Sequence, residues 1–93
     1  MTEKEITDKT IKIVSKKFYK PIQSIKLDSD LVHDFNADSL DEMEILWEVK
    51  TQFKLSLNIE ESDALMEQFT KTPTVRTLVD IVSKKLNTKG ISR

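Results

Sequence analysis

Asp38-Ser39-Leu40-Asp41-Glu42-Met43-Glu44-Ile45-Leu46-Trp47-Glu48-Val49-Lys50-Thr51-Gln52-Phe53-Lys54 is the stretch whose reading decides the fold. At 100° per residue, Ile45, Leu46, Val49 and Phe53 fall on one side, the spacing of a buried helical stripe. Asp38 stands at the N-cap position, and Asp41 and Glu42 occupy the first turn. Lys54 lies at the far end, a charge order that the helix dipole favours. The spacing predicts a helix over 39–54. Leu40, Met43 and Trp47 form a second apolar strip on another face, flanked by Asp41, Glu44 and Glu48. A helix packed only within its own bundle needs one apolar face. A second one bordered by carboxylates implies partner docking, unless it packs beneath the segment that precedes it.

Upstream, Ile6, Thr10, Ile13, Val14, Lys17 and Phe18 recur at helical spacing, which predicts a first helix over 3–20 stopped by Pro21. Residues 21–38 read as a long loop anchored by Ile22, Ile25, Leu27, Leu31, Val32 and Phe35. Downstream, Leu65, Met66 and Phe69 mark a short third helix over 60–69. Thr74 then caps a last helix with the stripe Val75, Leu78, Val79, Val82 and Leu86. Gly90 follows that helix, and the tail 88–93 is expected to fray. Sustained two-residue alternation and internal repeats are absent from the sequence. The expectation is one all-α domain over 1–93, ordered over about 3–87. It is a four-helix bundle of three longer helices and a short third one.

The composition bounds the function. Leu, Ile, Val and Phe make up 28 of 93 residues, above the roughly 20% below which a chain defaults to disorder. The absence of cysteine excludes disulfides, thiolate metal sites and a cysteine nucleophile. With no membrane-length apolar run and no signal-peptide-like start, a cytosolic, monomeric protein without stable membrane insertion is expected. A lone glycine, Gly90, leaves no Gly-rich phosphate loop. The net charge of −1 conceals segregation: +4 over 1–27, −10 over 28–69 and +5 over 70–93. The acidic middle suits a basic partner as well as it suits a solvated helix face, and it argues against nucleic acid. The carboxylates lack a partner base or nucleophile in a pocket-like arrangement, so an enzyme is not expected.

Asp34-Phe35-Asn36-Ala37-Asp38-Ser39-Leu40-Asp41 resembles the modification site of acyl carrier proteins, D-L-G-x-D-S-L-D at the start of the second helix. Met43-Glu44-Ile45, Phe53, Thr74-Val75 and the upstream Asp30-Leu31-Val32 extend the resemblance over roughly residues 5–86. It implies a carrier whose phosphopantetheine, taken covalently from coenzyme A, is attached to Ser39. Asp38 would serve recognition by the phosphopantetheinyl transferase. Acyl-transferring and acyl-modifying enzymes with basic patches would dock on Leu40, Asp41, Met43, Glu44, Trp47 and Glu48. The acyl chain would lie against Leu46 and Leu65. Fatty acid or related lipid biosynthesis is the implied role.

The sequence also departs from the pattern. Phe35-Asn36 replaces Leu-Gly, and Asn is the next-best residue for a positive φ. Trp47 replaces a smaller apolar residue, and Lys50 interrupts an acidic stretch. A specialised carrier of polyketide, hydroxyacyl or aminoacyl units therefore stays open beside the general one. So does an unmodified helical adaptor using the same strip. Asp34-x-Asn36-x-Asp38 resembles the opening of a calcium loop, but Ser39 and Ile45 replace its required glycine and glutamate. His33, the single histidine, reads as a solvated loop residue.

Overall fold

The computed structural model describes residues 1–91, with side chains through Leu86. The chain forms α1 (Glu3–Phe18), a 3₁₀ turn (Ile22–Ser24), α2 (Leu31–Phe35), α3 (Ser39–Gln52), α4 (Ile59–Lys71) and α5 (Val75–Ile91). Among the described residues the fold is all-helical, relieved by one isolated bridge between Asp30 and Thr74. The four long helices pack as the expected bundle. α4 is the shortest of them at 13 residues. The expected frayed tail over 88–93 lies partly outside the described residues, and α5 takes in Gly90 rather than ending before it.

Local chemistry sets each boundary. Thr2 and Glu5 form a capping box at the start of α1, with Thr2 Oγ1 accepting from the Glu5 N–H at 3.2 Å. Tyr19 ends the helix at φ 55°, two residues before Pro21. Asn58 and Glu61 repeat the capping box at α4, which therefore begins at Ile59. α3 stops at Gln52 rather than Lys54, because Lys54 itself turns left-handed at φ 54°. Thr74 caps α5 as expected, accepting from the Thr77 N–H at 3.2 Å.

The main correction concerns 21–38. This segment is not simply a loop: it contains the 3₁₀ turn and the short helix α2. Asp30 Oδ1 caps α2 by accepting from Val32 and His33 N–H, each at 2.9 Å. Asn36 terminates it at φ 58°, the left-handed value that asparagine tolerates. The expected anchors divide. Ile25 and Leu31 are buried, Leu27 and Phe35 are partly buried against the core, and Ile22 and Val32 are exposed. Phe35 stacks on Phe18 of α1, with ring centroids 5.6 Å apart.

Leu31 is fully buried beside Val14, Ile45, Phe69 and Leu78 in one continuous core. Its truncation should therefore report on the whole bundle. Leu31→Ala is expected to lower the unfolding free energy by about 2–5 kcal/mol, measured by urea titration. A loss below about 1 kcal/mol would show that the segment before α3 is not part of the core.

Candidate functional site

Ser39 is the first residue of α3 and is exposed. Asp38 and Asp41 hold this end of the helix in a capping box. Asp38 Oδ1 accepts from the Asp41 N–H at 2.8 Å, and Asp41 Oδ2 accepts from the Asp38 N–H at 3.1 Å. Among the described residues the Ser39 hydroxyl makes no hydrogen bond, so capping is done by its neighbour. An exposed hydroxyl at a rigid helix start is open to a reagent from outside. The Ser39 and Leu40 N–H groups, unused in the first turn, favour an anion there. The residues present therefore fit a phosphodiester.

The second strip is not covered by the preceding segment. Leu40, Met43 and Trp47 are 56%, 54% and 66% exposed. They line an open groove of about 1110 Å³ between α1 and α3. Lys17 of α1 closes the end of this groove near Ser39, pairing with Glu44 and lying 3.7 Å from Asp41 Oδ1. The Glu44 carboxylate, as hydrogen-bond partner, raises the pKa of Lys17 above the ordinary lysine value. Two of the acids expected to face partners are thus already paired within the molecule. Glu48 accepts from Gln52 Nε2 at 2.9 Å, while Lys50 lies over the Trp47 ring, 5.1 Å from its centroid.

A smaller cleft of about 200 Å³ separates α3 from α4 and is lined in part by Leu46, Leu57 and Met66. Leu65 is partly buried against the core but does not line the cleft.

Of the calcium-like triplet, Asp34 accepts from the Asp30 N–H at 2.8 Å, a bond that lowers its pKa. Asp38 caps α3, and Asn36 ends α2. His33 is exposed beside Asp34.

This geometry meets its counterpart in known proteins. Residues 8–82 match the family described as the phosphopantetheine attachment site. The chain belongs to this family. It is 33% identical over 85 residues to the acyl carrier protein of Chlorobium phaeovibrioides, covering 91% of this chain and all of that one. It is 31% identical over 96 residues to that of Cyanidioschyzon merolae, covering 100% and 98%. With that of Coprothermobacter proteolyticus it shares 39% over 67 residues, or 72% and 73% of the two chains. The family fixes the role as an acyl carrier rather than an enzyme, and the prosthetic group as covalent phosphopantetheine.

One group near the site was missed in the sequence reading. Glu42, assigned there only to the first turn, is 7% exposed. Its position was legible, since it lies three residues before Ile45 and seven before Val49, on the core stripe. Burial, followed by the carboxylates of Asp30 and Asp38, raises its pKa above the usual glutamate value. The folded state thus holds the Glu42 proton more tightly than the unfolded chain does. Ionised Glu42 costs stability near neutral pH. The cost fades as pH falls through its folded pKa and is gone below the unfolded value near 4.5. Glu42→Gln should raise the melting temperature near pH 7 and give no such gain at about pH 4. An equal gain at both pH values, read by calorimetry, would assign the effect to packing instead of charge.

Proposed function

We propose that Ser39 bears the phosphopantetheine arm and that the chain carries acyl thioesters between enzymes of fatty acid or related lipid synthesis in the cytosol. The observation that carries this reading is the exposed, unpartnered Ser39 hydroxyl at the start of a helix held by Asp38 and Asp41. That segment falls inside the family match.

Ser39 Oγ attacks the phosphorus of the coenzyme A pyrophosphate that bears the pantetheine. An O–P bond forms, the adenine nucleotide half departs and the hydroxyl proton passes to the transferase, which also supplies the Mg²⁺. The arm supplies the thiol that this cysteine-free chain lacks. The chain's own residues position and present it. Asp38 fixes the start of α3 and offers the transferase a carboxylate beside Ser39. Leu40, Met43 and Trp47 offer apolar contact to partner enzymes. Asp41, Glu44 and Glu48 steer encounter more than they fix affinity, because exposed ion pairs contribute only about 0–1 kcal/mol each. The cleft beside Leu46 is the place where an acyl chain finds apolar cover, with Met66 rather than Leu65 opposite it.

The test is intact mass spectrometry after incubation with coenzyme A, Mg²⁺ and a broad-specificity phosphopantetheinyl transferase. The wild type should gain one phosphopantetheine and Ser39→Ala none. A gain that survives in Ser39→Ala would move the site to another residue. Folded wild-type chain that gains nothing with several transferases would favour the unmodified adaptor, docking through α3.

A further inference from the structure

The groove between α1 and α3 has an acidic wall on α3 and, on α1, a wall that is basic over 9–17 and acidic beyond it, where Glu5 and Asp8 line the groove. On α3, Glu44 and Glu48 lie one helical turn apart along one edge, and on α1, Lys12 and Lys16 lie one turn apart along the other. Ile13, Leu40, Met43 and Trp47 contribute apolar surface between them. Lysines cross the groove at two points. Lys17 pairs with Glu44 and Asp41 near Ser39. Lys9 Nζ donates to the Gln52 carbonyl at 2.9 Å and lies over the Phe53 ring, 5.0 Å from its centroid. These crossings show that the two helices run antiparallel. The stretch between them covers roughly 12 Å of each helix, about two turns. Among the described residues Lys12 and Lys16 form no ion pair.

A partner with only basic groups would satisfy the α3 wall while setting like charges against Lys12 and Lys16. A partner with only acidic groups would do the reverse. A second copy is a poor match, because it would bring one concave groove against another. We propose that this groove docks a partner helix about two turns long with an apolar ridge and edges of opposite sign. Its basic edge lies over Glu44 and Glu48, and its acidic edge over Lys12 and Lys16. The inference rests on α3 being the docking helix and names the partner's chemistry: a bipolar amphipathic helix in place of a uniformly basic patch. Inserting the ridge covers Trp47, the chain's single tryptophan.

Three tryptophan-free synthetic helical peptides with one shared Leu ridge test this, with edges Lys/Glu, Lys/Lys and Glu/Glu. Each is titrated into the unmodified full chain at low salt. Trp47 emission and the amide shifts of α1 are the readouts. The Lys/Glu peptide should bind about fivefold more tightly than either uniform one, the sum of a few weak exposed pairs. The double variant Lys12→Glu, Lys16→Glu should move the preference to Lys/Lys. Two results would overturn the proposal. One is Lys/Lys binding at least as tightly as Lys/Glu to the wild type. The other is a concentration-dependent dimer in sedimentation that the double variant abolishes, which would make a second copy the occupant. Since the titration uses unmodified chain, its failure stays separate from any failure of Ser39 to accept the arm.

Discussion

Three backbone hydrogen bonds tie the segment before α3 to the start of α5, and the placement of the start of α3 depends on them. The Leu31 N–H donates to the Pro73 carbonyl at 2.8 Å. The Val75 and Arg76 N–H groups donate to the carbonyls of Ser29 and Leu27 at 3.1 and 2.8 Å. The first N–H groups of a helix have no partner within it. Here the crossing segment supplies acceptors for α5 and receives in return a fixed path over the bundle. Leu31 plugs into the core at the crossing, with no exposed surface. Asp30 is then placed to cap α2, Asn36 to end it, and Asp38 to cap α3. Each step is a short-range consequence of the one before, and Ser39 stands at the end of the series.

The same placement has a cost. Capping α2 and α3 puts the carboxylates of Asp30 and Asp38 close enough to the buried Glu42 to disfavour its charge. Burying an ionised carboxyl group is unfavourable unless it is paired. The start of α3 thus combines good backbone capping with a poorly accommodated charge one turn further in. Local rules broken at one point of an otherwise consistent element are common where function sits. Here the broken rule lies one turn inside the helix start at Ser39.

Much of this was legible in the sequence, for identifiable reasons. α1, α3 and α5 carry apolar stripes long enough for the 3.6-residue period to show. Their cores, including Ile13, Ile45 and Val82, are buried as read. The positive φ at Asn36 was legible because asparagine stands where the family pattern has glycine. α2 was not legible: five residues make little more than one turn, too short for a period, and its signal is the Asp30 cap alone. The start of α4 was legible in principle, as Asn58 and Glu61 have capping-box spacing. Leu65 is partly buried against the core and does not line the small cleft, because spacing fixes the face of a helix but not which neighbour that face meets. The pairing of Lys17 with Asp41 and Glu44 is a contact between helices, which no local pattern reports.

That pairing changes what the acidic middle of the chain means. Summed along the sequence, residues 28–69 carry a charge of −10. Folding sets the lysines of α1 against the most acidic face of α3, and Glu61 of α4 pairs with Lys85 of α5 at 2.7 Å. A partner approaching from a distance sees this sum only within a Debye length of about 8 Å at physiological salt. At that range positive and negative walls are resolved separately. Charge along the chain is therefore a poor guide to the field that a partner meets, and the antiparallel packing of α1 on α3 is a better one. A carrier must release each enzyme after transfer. Weak, exposed, oppositely charged walls suit that need, since they orient the encounter without adding much to the lifetime of the complex.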